Sequence, residues 1–446
     1  MKIGFLAMSG VRAHDPELLK LGLTLPGFVE RSKTVASLPS LGLLYLAAAT
    51  PDVARHELRY FEAESDRTEP AEIYTCDLVA ISTFSAQVFE AYAIADRLRA
   101  AGVKVAMGGL HVTVQPDEAA RHADYVIIGE GDNVWPAVVR AAEADEPPRT
   151  FDSKDFPPVD VAKLPIPRYD LLGERPYNRF TVQTSRGCPW RCDFCASTVM
   201  LSRRYRKRPV EQVIRDIEAI KQLRPNPFIE FADDNTFVDK AWGKELCRQL
   251  RPLNVKWFTE TDITVADDDE LLDLMRKAGC RQVLIGLESP AQNAGALQGI
   301  EMHHNVKAKW APRYLERVRN IQSRGITVNG CFILGLDGHG PEIFEQVLDF
   351  ALEVPLFDVQ ITVLTPFPGT PLHERLLKEG RIIQPGRWDL CTLFDVNYVP
   401  SNMTPEELRQ GMRWLTRRLY SAQTTDRRRR PFFDRARRRG ALVAAR

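Results

Sequence analysis

TSRGCPWRCDFCAST, residues 184–198, carries Cys188, Cys192 and Cys195 within eight residues. The spacing is C-x3-C-x2-C, and the stretch follows an apolar, β-rich run at Phe180–Thr184. Three thiolates on one tight loop suit three irons of a 4Fe–4S cluster. The fourth iron then has no protein ligand and is open to chelation by a small molecule. Arg186 and Arg191 flank the loop and favour thiolate over thiol. Phe194, beside the last cysteine, is placed to shield a cluster from water. The bland alternative is structural zinc, which normally takes four ligands. Candidate fourth ligands such as His122 and His303 are far away in sequence.

Outward from this loop, apolar runs alternate with helical patterns. Strands are expected at Phe180–Thr184, Phe228–Ala232, Lys256–Glu260, Gln282–Gly286, Thr327–Leu334 and Asp358–Leu364. Val210, Val213, Ile214, Ile217 and Ile220 form one helical stripe. The aspartates opening Asp267–Ala278 suit a helix N-terminus. Six strand–helix units over residues 178–385 predict a partial (β/α)6 barrel, whose chemistry belongs at the carboxyl ends of its strands.

Residues 1–145 show the same alternation. Strands are expected at Lys2–Ala7, Leu58–Ala63, Leu78–Phe84, Val103–Gly108 and Tyr125–Gly129, with helices at Leu41–Ala49 and Ala86–Ala101. Nearly continuous apolar strands argue a doubly wound, Rossmann-like parallel sheet covered on both faces. Ligands of such sheets bind beyond the strands' carboxyl ends. There lie STFS (82–85), GGLHVT (108–113) and GEGD (129–132). Residues 146–177, rich in proline, read as an extended surface linker. Residues 386–426 read as a helical appendix with a capping box at Thr404, Pro405 and Glu407. The fold class is thus α/β with a C-terminal helical region.

The whole chain agrees. With 446 residues, 44% hydrophobic and 27% charged, it has ordinary globular composition, which excludes disorder, collagen and coiled coil for most of its length. No apolar run is long enough to span a membrane. The start lacks secretory-signal character, so a cytoplasmic location is expected and a disulfide framework is not. Net charge is +1, yet residues 427–446 hold nine Arg and one Asp. That tail is expected to be mobile and solvated. Only charge density supports a nucleic-acid role for it, and none is expected. Cys76, Cys247, Cys280, Cys331 and Cys391 read as small buried hydrophobes.

C-x3-C-x2-C with an aromatic before the third cysteine resembles the signature of the radical S-adenosylmethionine (SAM) superfamily. The resemblance covers residues 178–385. FADDN (231–235), GLES (286–289) and GCFILGLDG (330–338) resemble the superfamily's strand-end segments. It implies that Asp233 or Asp234 meets the SAM ammonium. Glu288 and Ser289 meet its ribose or amino acid part, and Ile333 and Leu334 wall its adenine. PFPGTPL (366–372) resembles the subgroup with an N-terminal cobalamin-binding domain.

MKIGFLAM, STFSAQV, GGLHVTVQPDEA and DYVIIGEGD resemble that domain. Its contacts are then expected from Ser82, Thr83, Ser85, Gly108, Gly109, His111, Thr113, Gly129, Glu130 and Gly131. The D-x-H-x-x-G motif that supplies cobalt with a histidine in some corrin proteins is absent, because no aspartate precedes His111 suitably. Methylthiotransferases, which carry a second three-cysteine cluster, are set aside because the N-terminal domain has only Cys76.

The resemblance implies three cofactors: a 4Fe–4S cluster, SAM and methylcobalamin. It implies methylation of an unactivated carbon in a small molecule, natural product or lipid, with an electron donor such as flavodoxin or ferredoxin. Cyclisation, rearrangement or oxidation by the same layout is the alternative. A zinc or thiol protein contacting nucleic acid through the tail is the second.

Overall fold

The computed structural model describes residues 1–8, 10–11, 13–21, 38–63, 68–196 and 204–444, without the side chains of 436 and 438–444. The first sheet comprises β1 (Lys2–Ala7), β2 (Glu57–Glu62), β3 (Leu78–Ser82), β4 (Lys104–Gly108), β5 (Tyr125–Ile128) and β6 (Arg149–Asp152). All pairings are parallel, in the order β2-β1-β3-β4-β5-β6. The five expected strands are present. Their apolar runs are continuous because alternate residues enter opposite cores. Ile3, Phe5, Ala80 and Ile127 pack under the helices Leu41–Ala48 and Trp135–Glu143. Leu6, Val79, Ile81 and Val105 pack under Val88–Ala100.

One boundary and the character of the linker differ from expectation. The short strand β6 extends the first sheet to Asp152, inside the segment read as linker. The rest of that segment is no loose surface strap. Val161, Leu164, Tyr169 and Leu172 are buried, and the Tyr169 hydroxyl donates to the Thr181 carbonyl at 2.8 Å. Proline excludes regular pairing here but not burial. These residues join the cores of both domains into one apolar cluster.

The second sheet starts with β7 (Phe180–Val182). β8 (Ser185–Arg186) and β9 (Arg206–Lys207) form a short antiparallel bracket beside it. β10 (Phe228–Phe231), β11 (Lys256–Glu260), β12 (Cys280–Glu288), β13 (Thr327–Leu334) and β14 (Asp358–Val363) follow. The six strands run parallel in the order β14-β13-β12-β11-β10-β7, so the barrel is open between β7 and β14 among the described residues. Helices cover its outside. Val210–Leu223 buries Val213, Ile217 and Ile220 as its stripe requires. In Asp269–Lys277, Asp268 caps the helix by accepting from the Leu271 amide.

The C-terminal helix Pro405–Leu419 begins at the expected capping box. The helix Ala422–Ala444 corrects the reading of the tail. Arg428 is buried and donates to the carbonyls of Leu356 and Phe357, each at 2.9 Å. Arg429 pairs with Asp358 at 2.5 Å. These arginines satisfy backbone carbonyls and an acid at the start of β14, and a charge count cannot reveal such partners.

Candidate active site

The cysteine loop leaves the carboxyl end of β7 and is anchored by Asp233, which follows β10. One Asp233 oxygen accepts from the amides of Thr184 and Ser185, both at 2.8 Å. The other accepts from the hydroxyls of Thr184 at 2.5 Å and Thr236 at 2.8 Å. Burial pushes this carboxyl up to about 6, and the four donors oppose the rise. Both oxygens are thus engaged in holding the loop, whereas Asp234 lines the open cavity described below. Further along, the loop is laced to two distant segments. The Asp193 amide donates to the Ile300 carbonyl at 2.8 Å, and the Leu372 amide donates to the Asp193 carbonyl at 3.1 Å. Phe194 packs against the main core.

Cys188, Cys192 and Cys195 share one electrostatic environment. Burial pushes the Cys188 thiol up to about 12, and Cys195 and Asp234 add to the rise. Cys192 is raised further by burial, with Cys195, Glu288 and Cys188 adding. Lys307 opposes the rise at both. Its ammonium is buried and donates to the Gly286 carbonyl and to Glu288 Oε1, each at 2.7 Å. Desolvation disfavours that charge, but Glu288 and Cys192 more than restore it. Sequence reasoning missed Lys307, since a lone lysine far along the chain carries no motif. The flanking arginines do other work. Arg186 is drawn to Asp132 and Glu130, and Arg191 lies exposed, 3.4 Å from His303.

GLES builds the other half of the pair. Glu288 has φ +66°, the left-handed region, beside a register shift between β12 and β13. This turn brings its carboxylate back over Gly286. A Cβ at Gly286 would lie 2.3 Å from Glu288 Oε1 and 3.0 Å from Lys307 Nζ. Ser289 is fully buried, 3.0 Å from His339 Nε2. Ile333 is nearly buried and Leu334 fully so. Glu260, at the end of β11, is a second group that sequence reasoning missed. Desolvation raises its carboxyl to about 8, with Glu230, Asp234 and Asp233 adding, although the residue is exposed.

The carboxyl ends of both sheets open onto one cavity of about 400 Å³. Ala80, Ile81, Ala106 and Ile127 form its apolar floor on the first sheet. Ser82, Gly108, Gly109, Gly129, Glu130 and Gly131, six of the residues the resemblance implies for cobalamin, line it. Thr83, Ser85, His111 and Thr113 do not line it; they brace its wall from within. His111 is buried between Ser85 Oγ at 3.1 Å and Glu118 Oε1 at 3.4 Å, and burial lowers its pKa. Thr113 donates to the Gly109 carbonyl and accepts from the Gly129 amide, tying the two glycine turns together. Gly109 has φ +105°, and a Cβ there would sit 2.8 Å from the Thr83 carbonyl oxygen. From the barrel side, Gln183, Ser185, Arg186, Gly187, Ala232 and Asp234 line it.

Arg186 crosses this cavity's edge. It makes two bonds to Asp132 at 2.8 and 2.9 Å and one to Glu130 at 2.9 Å. Arg206 adds a bond to Glu130 at 2.6 Å. The GEGD turn of the first domain is thereby clamped to the base of the cysteine loop.

These residues fit the implied groups. Among the described residues no three His, Cys, Asp or Glu side chains converge on one metal ion. A 4Fe–4S cluster instead takes one thiolate per iron, which three thiols on one loop provide. The apolar floor and the glycine turns, where backbone can be approached closely, present the kind of surface a flat cofactor takes between the domains.

Comparison with known proteins agrees with this arrangement. Residues 182–351 match the radical SAM superfamily and residues 31–139 the B12 binding domain. Residues 370–443 match a domain of unknown function. The hopanoid C-2 methylase of Rhodopseudomonas palustris is 30% identical over 78% of this chain and 66% of that protein. The bacteriochlorophyllide d C-8(2)-methyltransferase of Chlorobaculum tepidum is 26% identical over 69% of each. The methyltransferase TsrM of Kitasatospora setae, solved with cobalamin and a [4Fe-4S] cluster bound, shares the fold. Its TM-score is 0.63 at 16% identity, covering 86% of this chain and 79% of that one.

A parallel-sheet domain set against an open parallel barrel, with a three-cysteine loop at their junction, defines a two-domain radical enzyme. The chain belongs to the radical SAM superfamily, in the group that carries an N-terminal cobalamin-binding domain.

Lys307 permits a direct test. Lys307→Met removes a cation that eases ionisation of Cys188 and Cys192 and is expected to lower the cluster's reduction potential by on the order of tens of millivolts. Lys307→Arg retains most of the wild-type value. An unchanged potential for Lys307→Met, followed by electron paramagnetic resonance during a redox titration, would remove Lys307 from this role.

Proposed function

We propose that this protein is a cobalamin-dependent radical SAM methyltransferase acting on an unactivated carbon of a small molecule, natural product or lipid. The observation that carries this reading is the single cavity shared by the carboxyl ends of both sheets and bordered by the cysteine loop. When bound, the cluster, SAM and cobalamin supply one-electron cleavage of a sulfonium bond, hydrogen abstraction and a transferable methyl group.

The chain supplies the rest. Cys188, Cys192 and Cys195 hold the cluster, with Lys307 offsetting their charge. Asp234, Glu288 and Ile333 serve the SAM side, and the fully buried Ser289 and Leu334 pack behind them rather than touching it. The glycine turns and Ser82 hold cobalamin, with Glu130 fixing the turn between them. Asp233 acts one layer back, by fixing the loop. The apolar floor and buried linker exclude water from a site where radical chemistry needs exclusion. The relatives named above act on a hopanoid and a bacteriochlorophyllide, which supports a bulky, largely apolar substrate. Among the described residues no helix is long and apolar enough to cross a membrane. We place the enzyme in the cytoplasm, with a flavodoxin or ferredoxin as reductant.

Anaerobic purification from cobalamin-fed cells tests this reading. About four irons and one cobalt per chain are expected. Incubation with SAM carrying a deuterated methyl group should then label a product carbon. Iron without cobalt, or a product that gains no label, would overturn methyl transfer in favour of cyclisation, rearrangement or oxidation.

A further inference from the structure

At the opposite end of the barrel, beneath the amino ends of its strands, lies a second cavity of about 520 Å³. Four arginines line it: Arg179, Arg276, Arg281 and Arg435. The last belongs to the helix Ala422–Ala444, which closes one side. The cavity thus exists only where the tail helix is docked.

Charge compensation here is incomplete. Arg179 is engaged, donating to Glu230 at 2.6 Å and lying over the rings of Phe228 and Phe258 at 5.3 and 5.5 Å. Asp358, the acid in the lining, already takes Gln282 at 2.7 Å and Arg429 at 2.5 Å. Among the described residues the Arg281 guanidinium has no acceptor. Arg435 uses its Nε alone, toward the Pro431 carbonyl at 3.1 Å. Positive charge in a concave, partly enclosed space focuses anions, and guanidinium forks match phosphate oxygens.

The walls add a second preference. Phe228, Phe258, Phe357 and Phe432 present aromatic surface to the same space. A flat apolar group stacks on such rings, and its attached anion reaches the arginines.

We propose that this cavity binds a small phosphorylated ligand with a planar ring, of which nucleoside phosphates are the simplest class. A ligand held by both Arg281 and Arg435 ties the tail helix to β12. The site lies at the barrel end away from the cysteine loop, so it is an effector site rather than part of the reaction centre. It stands independently of the reaction assigned above.

Calorimetry on the full holoprotein, saturated with SAM, tests this with three probes: GDP, inorganic pyrophosphate and guanosine. Guanine keeps the probe distinct from the adenine of SAM. GDP is expected to bind at least tenfold more tightly than pyrophosphate, and guanosine not measurably. Arg281→Gln, at an exposed position, and Arg435→Ala should each weaken GDP at least tenfold while leaving SAM cleavage without GDP unchanged. GDP should also slow proteolysis of the tail helix. No binding of GDP, or binding indifferent to both substitutions, overturns the site. Pyrophosphate binding as tightly as GDP overturns the role of the aromatic walls and leaves an adventitious anion only.

Discussion

Changing Cys188, Cys192 or Cys195 to alanine, one at a time, abolishes formation of 5′-deoxyadenosine from SAM and strips the cluster iron. The three thiols lie on one loop and act on each other's ionisation. On the proposed assignment each would hold a different iron, so no neighbour could substitute for a missing one. Loss of a residue behind a ligand typically costs about 10–100-fold in metal affinity or activity. Loss of a ligand itself should exceed the upper end of that range. Cys247→Ala serves as the control, because that thiol is buried within a barrel helix. Iron content and SAM cleavage should separate the two classes cleanly. Full activity in any one of the three loop variants sinks the assignment of the site.

Arg186→Ala produces the second large effect, and a different kind of loss. Arg186 stands two residues before Cys188 and is only 14% exposed, and its partner Asp132 is 13% exposed. Removing it leaves Asp132 without its cation and Glu130 with Arg206 alone. Breaking this partly buried pair from one side should cost less than the roughly 3–5 kcal/mol of a fully buried one. The loss falls on the junction between the domains, not on the cysteines. We therefore expect iron and SAM cleavage to persist while methylated product falls at least tenfold. Arg186→Lys keeps the charge but loses the two-pronged bond to Asp132, and should fall between. Measuring 5′-deoxyadenosine and product together distinguishes the outcomes. A parallel fall of both by one factor refutes a positioning role.

The strands were legible because their signal is local. Each of the eleven expected runs pairs apolar residues on both faces of a parallel sheet, and the structure holds a strand at each. The cysteine loop was legible for the same reason, since all its ligands lie within eight residues. What escaped depends on contacts between distant segments. Lys307 is known for its charge only once β12 returns Glu288 to it. Arg186 looked like a thiolate partner by proximity in sequence, but Asp132, 54 residues upstream, claims it. Asp233 and Asp234 are adjacent and alike in sequence. Only the fold shows one tied to four donors and the other facing the cavity. The tail arginines read as solvated because nothing nearby offers an acceptor, and the carbonyls of Leu356 and Phe357 lie about seventy residues away.

The buried segment between β6 and β7 has a consequence for protein engineering. Val161, Leu164, Tyr169 and Leu172 belong to the apolar cluster that runs through both domains. A gene cut after residue 152 yields a first half with uncovered aromatic and aliphatic surface and a second half lacking part of its wall. Chimeras that exchange cofactor domains between relatives should therefore carry residues 153–172 from the same parent as both flanking sheets' contact surfaces. A crossover within that stretch is inherited as a packing defect midway between the two halves.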